Sequence, residues 1–104
     1  MGGMPAYLIA RVDITDLEQY RHYLNATPSI IEKYGGKVIA RTTEPITLEG
    51  LEETRRIVIL QFPTVEKAGE FYHSPEYQNA RKLREGAATG EIIVVEGILP
   101  KENR

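Results

Sequence analysis

The chain contains no cysteine. That excludes disulfides, thiolate nucleophiles and cysteine-ligated zinc, and it suits a reducing cytoplasm, the expected compartment. No apolar run approaches the length that crosses a bilayer, so no membrane role is expected. The N-terminus has no basic segment followed by an apolar run, so no signal peptide is expected either. A surplus of one charge is also missing: thirteen lysines and arginines stand against fifteen acids, for a net charge of −2. Nothing in that balance draws the chain to nucleic acid, and the Arg55-Arg56 pair is too short a basic patch to do so. There are two histidines, His22 and His73, far apart in sequence. They do not make a metal site, and no cofactor motif is present, so neither metal nor cofactor is expected. Gly35-Gly36 lacks the spacing of a phosphate loop, and no helix follows it.

What is present reads as one domain. In 104 residues, 41% are apolar and 27% charged, ordinary proportions for a globular chain with its own core. The expected unit is 6–97, with tails at 1–5 and 98–104. Ala6 to Asp13 alternates as a strand, with Ala6, Leu8, Ala10 and Val12 on one face and Tyr7, Ile9, Arg11 and Asp13 on the other. Thr15-Asp16-Leu17-Glu18 has the form of a capping box with Thr15 as the cap. Leu17, Tyr20, Leu24, Ile31 and Tyr34 recur at helical spacing behind it. Thr27-Pro28 predicts either a kink or the start of a second helical segment. Gly35-Gly36 ends the helix.

Lys37 to Thr42 and Arg55 to Phe62 are the next strands, joined by an acidic loop from Thr43 to Thr54. Thr64 caps a second helix with Val65, Ala68 and Phe71 or Tyr72 inward. Ser74 caps a third helical piece, with Pro75 in the favoured first position. In that piece Tyr77, Ala80, Leu83 or Arg84, and Ala87 share a side. Gly90 releases the chain into a last strand, Glu91 to Gly97. The order βαββαβ predicts an α+β, ferredoxin-like fold: one antiparallel four-stranded sheet with helices on one face.

Ile57-Val58-Ile59-Leu60 and Ile92-Ile93-Val94-Val95 are apolar on both faces, which a sheet with one solvated side does not need. The uncovered face predicts a homodimer packed sheet to sheet, a dimeric α+β barrel. On that second face Arg11, Arg41 and Gln61 are expected at the ends of apolar floors. They either close a small-molecule pocket or simply reach solvent.

Tyr72, Tyr77 and Arg84 are the principal ligand-binding candidates, joined by Arg41 and Gln61. Tyr77 and Arg84 lie two helical turns apart on one side, and hydroxyls with a guanidinium can grip a carboxylate. The alternative is structural: tyrosines packed on the sheet, and Arg84 paired with an acid such as Glu49. His73 is the candidate acid–base residue, at the break between two helical pieces. Ser74 is explained as a cap, with no relay to make it a nucleophile.

Several of these residues also carry a resemblance. Ala6-Tyr7-Leu8-Ile9, Asp16, Tyr20, Tyr23, Gly35-Gly36, Arg41, Leu48-Glu49-Gly50, Phe62-Pro63-Thr64, Phe71-Tyr72-His73-Ser74-Pro75-Glu76-Tyr77, Arg84 and Glu96-Gly97 together resemble domain-of-unknown-function family 1330. That resemblance implies the dimeric α+β barrel superfamily, and with it a dimer, but no reaction. The chain departs from the family where Gln61 stands for a frequent Glu and Phe71 for a frequent Trp. A carboxylate acting as base at the Gln61 position in relatives would be missing here. The expectation is a small-molecule-binding protein, either a cofactor-independent enzyme acting on a small organic acid or lactone, or a non-catalytic dimeric binding or scaffold module.

Overall fold

The computed structural model describes residues 4–99. Residues 1–3 and 100–104, most of the two expected tails, lie outside the described residues. Seven elements follow in order: β1 (Ala6–Ile14), α1 (Leu17–Lys33), β2 (Lys37–Thr42), β3 (Arg56–Phe62), α2 (Val65–His73), α3 (Pro75–Lys82) and β4 (Ala88–Glu96). The strands form one antiparallel sheet in the order β2-β3-β1-β4. This is the expected ferredoxin-like arrangement, with α2 and α3 sharing the place of the second helix.

Alternation along β1 decides which side the helices cover. Ala6, Leu8 and Val12 are buried, and Leu8 joins Leu60, Phe62, Ala68, Phe71 and Tyr77 in the main core cluster. The aromatic rings lock this cluster, with Phe71 centred 5.2 Å from Phe62 and 4.8 Å from Tyr77. On the opposite face Tyr7 pairs with Gln61 and Val95, and Ile9 with Ile59 and Ile93. Ile93 and Val95 there are 48% and 44% exposed. The second apolar face is therefore real in the single chain.

The helix ends follow local rules, with one correction. Asp16, not Thr15, caps α1: its carboxylate accepts from the Gln19 amide at 3.1 Å. Thr15 is otherwise engaged, its amide and hydroxyl both donating to the Ala87 carbonyl at 2.8 and 3.1 Å. That contact ties the β1–α1 junction to the start of β4. Pro28 starts no second segment, because α1 runs unbroken from Leu17 to Lys33 around it. Tyr20 on one side of Pro28 and Ile30, Ile31 and Tyr34 on the other pack on the core, and this tertiary packing carries the helix past the missing N–H. Leu17 and Val65, expected inward, stay exposed in the first turns of their helices.

At the far end of α1, Gly35 takes φ +81° and the Gly36 amide donates to the Ile31 carbonyl at 2.9 Å. A Cβ on Gly36 would come within 2.6 Å of Phe62, so only glycine lets the chain turn so close to the core. Ser74 serves two helices. Its hydroxyl donates to the Phe71 carbonyl at 2.8 Å, closing α2, and accepts from the Tyr77 amide at 3.0 Å, opening α3.

Two strand details alter the expected geometry. β4 begins at Ala88, and Gly90 lies inside it opposite Val12 rather than releasing the chain. In β2 the register to β3 slips between Val38 and Ala40, a β-bulge centred on Ile39. Val38 pairs with Leu60, and after the bulge Arg41 pairs with Val58. Leu60 and Val58 belong to the helix side, so Arg41 is on the helix side too. The expectation that Arg41 shares the open face with Gln61 is corrected by that one extra residue.

Candidate functional site

Two cavities lie between the helices and the sheet. The first, about 360 Å³, opens beneath α1 over β3, β1 and β2. Its walls are mostly apolar, including Leu8, Ala10, Val58, Leu60 and Ile92, and its polar lining is Tyr20, Tyr23, Thr27, Tyr77, Arg41, Arg56, Arg84, Lys37 and Glu32. The second, about 580 Å³, lies between the α2–α3 turn and β4, and Tyr72, His73, Arg81, Arg84 and Glu85 line it with Thr89 and Gly90. Arg84 belongs to both, as a partition between them.

Arg84 sits in the turn after α3, where the chain curls back into β4 through hydrogen bonds from the Ala87 and Ala88 amides to its carbonyl. Of the two residues expected to compete for the inward position, Leu83 is exposed and Arg84 is buried, with 9% of its surface accessible. Its guanidinium carbon stands 5.4 Å from the centre of the Tyr23 ring. Both terminal nitrogens lie 3.7 Å from where a Gly90 Cβ would be, so the head group rests on β4. Among the described residues no carboxylate lies at ionic distance from it, Glu49 included. Burial works against its charge, but the hydroxyls of Tyr77 and Tyr23 more than offset that, and the guanidinium stays cationic.

The tyrosines form a chain along the cavity. Tyr23 and Tyr77 share a hydrogen bond of 2.8 Å between their hydroxyls. Tyr20 lies 5.2 Å from Tyr23, and Tyr72 lies 5.3 Å from Tyr77, centre to centre. Burial, reinforced by the Tyr77 hydroxyl, holds the Tyr23 hydroxyl protonated far above its ordinary range. Burial raises Tyr20 as well, with Arg56 and Arg84 pulling it partly back. At neutral pH Tyr20 and Tyr23 are therefore uncharged hydroxyls and not bases.

The sequence-predicted residues divide between three places. Arg41, Tyr77 and Arg84 meet in the first cavity, with Arg41 exposed at its mouth. Tyr72 and His73 line the second cavity, His73 exposed with its ring edge-on to Tyr72 at 5.3 Å. Gln61 is in neither; it pairs with Tyr7 and Lys37 on the open face. Arg56, Tyr20 and Tyr23 were not among the sequence-predicted site residues. Arg56 carried a usable signal, because it alternates with Val58 and Leu60 and so had to point the same way, while its neighbour Arg55 points the other.

A family profile described as "Domain of unknown function (DUF1330)" matches residues 5–98. Among solved structures, a protein of unknown function from Rhodopseudomonas palustris is similar at 23% identity and TM-score 0.75, over 93% of this chain and 85% of that one. SnoaB, a cofactor-independent oxygenase from Streptomyces nogalater, is similar at 11% identity and TM-score 0.64, over 94% of this chain and 99% of that one. A dimeric protein of unknown function with a ferredoxin-like fold, from Bacteroides fragilis, is similar at 12% identity and TM-score 0.54, over 92% and 99%. At these identities the likeness is one of fold. No curated protein matches.

Proposed function

This chain belongs to the family described as domain of unknown function (DUF1330); from that premise and from its own cavity, we propose that it binds a small organic acid between α1 and the sheet. One observation carries the reading. Arg84 is a buried cation on a cavity wall with no carboxylate beside it among the described residues. Tyrosine hydroxyls hold this charge within the chain, and a ligand carboxylate bound bidentately beside them would give it the anionic partner it lacks. The cavity volume, about 360 Å³, suits a small metabolite.

Binding is favoured over turnover by the lining itself. Its cations and neutral tyrosines hold an anion but supply no proton acceptor, and its one carboxylate, Glu32, is exposed. The cofactor-independent oxygenase that shares the fold keeps an enzymatic reading in view, with His73 of the second cavity as its acid–base candidate. The test is differential scanning fluorimetry with small carboxylic acids and their amides, on wild type and Arg84→Met. Acids should raise the melting temperature of wild type alone, by the equivalent of about 2.7 kcal/mol at a hundredfold excess over Kd. Equal shifts from amides, or undiminished shifts in Arg84→Met, would overturn the reading.

We further infer that the open face pairs with a second copy. Besides the sheet residues, Ile46, Leu48 and Leu51 of the β2–β3 loop are 86%, 93% and 97% exposed. The loop is fastened at its base to the open side, where Glu53 pairs with Arg55 and Arg11, and Arg55 with Glu91. Those exposed apolar side chains add to what a second copy could cover, and the dimeric ferredoxin-like neighbour supports the pairing. Light scattering should give twice the chain mass, and Ile93→Glu with Leu48→Glu should give the single mass. A wild-type monomer at micromolar concentration would end this inference.

A further inference from the structure

We propose that the ligand of the first cavity carries two acidic groups, one received by Arg84 and the other by Arg56 with Arg41. The proposal rests on the organic-acid reading above and adds the number and placement of the acids.

The cavity is far more cationic than the protein. Arg41, Arg56 and Arg84 line it against the single carboxylate of Glu32, a surplus of two positive charges, while Lys37 at its rim pairs with Gln61 on the open face. The whole chain carries −2. One monovalent acid would leave half of that surplus unanswered.

Two of the guanidiniums have no carboxylate at ionic distance among the described residues, and they lack it separately. Arg84 is buried without a carboxylate at ionic distance among the described residues. The Nε of Arg56 is buried with no hydrogen-bond partner. A buried donor without an acceptor is rare enough to demand an explanation, and a bound group supplies one.

Their placement requires two acceptors. Val12 on β1 is paired with Arg56 of β3 on one side and with Gly90 of β4 on the other. The Arg84 head rests at Gly90. The Arg84 head at Gly90 and the backbone of Arg56 thus flank β1 at the same level, on either side of it, with β4 and β3 about 10 Å apart across the sheet. Tyr20 lies within electrostatic reach of both. A single carboxylate, bound bidentately at Arg84, does not also reach an Nε rooted two strands away. An acid at each end of a short apolar spacer does, with the spacer over Val12 and Ala10. The Ile39 bulge brings Arg41 to the same side, at the mouth nearest Arg56's strand.

The test is isothermal titration with chain-matched pairs: succinate against butyrate, glutarate against valerate, adipate against hexanoate. In wild type the best diacid should bind at least tenfold more tightly than its monoacid. Arg56→Gln should weaken the diacids far more than the monoacids and so remove that advantage, and Arg56→Lys should restore part of it. Arg84→Met should weaken both series. Circular dichroism checks that each variant is folded. Equal affinities within the pairs, or a diacid advantage that survives Arg56→Gln, would overturn the proposal while leaving the organic-acid reading standing. Absence of binding by every acid would overturn both.

Discussion

On the open side of the sheet, Arg11 and Arg55 meet Glu53 and Glu91 at ionic distance, and Arg55 grips Glu53 through two nitrogens at 2.8 and 3.0 Å. On the helix side, Arg84 and Arg56 meet tyrosine rings and aliphatic walls. Arg55 and Arg56 are adjacent in sequence, and β-strand alternation alone sends them to these two environments. The first group is satisfied from within the chain and holds a loop in place. The second is not, and its members stand where a small molecule can enter. The difference separates charges that serve architecture from charges that serve recognition.

The comparison can be broken most forcefully at the core beneath the cations. Phe62→Ala should cost about 3–5 kcal/mol in urea unfolding, since it deletes a buried ring that packs on Phe71. Ile59→Ala on the opposite face should cost much less, by an amount that grows with protein concentration if a second copy covers it. A large, concentration-independent cost at Ile59 would show that the open side is stabilised within one chain.

Arg84→Met sharpens the contrast in sign. Replacing a buried cation that has no carboxylate partner by an apolar residue of similar length should leave the unliganded protein unchanged or more stable by about 1–4 kcal/mol. Glu53→Gln, in the satisfied group, should lower the melting temperature slightly. A marked loss of stability in Arg84→Met would mean that its tyrosine contacts are structural.

Tyr23→Phe should cost about 1 kcal/mol through loss of the hydroxyl bond to Tyr77. The Tyr23 hydroxyl is raised above its ordinary value of 10.0 in the fold, so its contribution is complete below that pH and is lost as pH rises beyond it. Alkaline unfolding should therefore be steeper in wild type than in Tyr23→Phe, and identical slopes would contradict the burial of this hydroxyl.

The smallest effect belongs to Glu53. Bonding to Arg55 lowers its carboxyl from 4.5 to about 2. The contribution is present above 4.5 and fades as pH falls toward 2. Hydrogen exchange in the β2–β3 loop should quicken over that window ahead of global unfolding. No change in the loop before the core opens would argue that the ion pairs do not hold it.

The fold was readable because its determinants are local. Caps at Thr64 and Ser74, Gly35-Gly36, and the period-two pattern of β1 and β3 all act within a few residues of themselves. Tyr77 and Arg84 were readable as a pair for the same reason, being two turns apart. Gln61 and Arg41 were not, because their relation depends on how β2 registers against β3, which no pattern within β2 reveals. Thr15 was misread because its hydroxyl is taken by Ala87, seventy-two residues away. Arg56 was passed over because charge drew it into a surface pair with Arg55, although its alternation with Val58 and Leu60 pointed it inward.

The bulge at Ile39 makes cavity charge a matter of residue count as well as residue type. Drawing Ile39 into the ladder opposite Ile59 would shift Ala40 onto Val58 and Arg41 onto Ile57, and swing a guanidinium to the opposite surface without altering any side chain. Whether an extra residue of an edge strand is bulged out or taken into the ladder is thus a route by which relatives of this fold can retune what they hold. A structure of the Ile39-deleted protein should show a regular ladder with Arg41 still opposite Val58, and Arg41 found on the same side as Gln61 would contradict this.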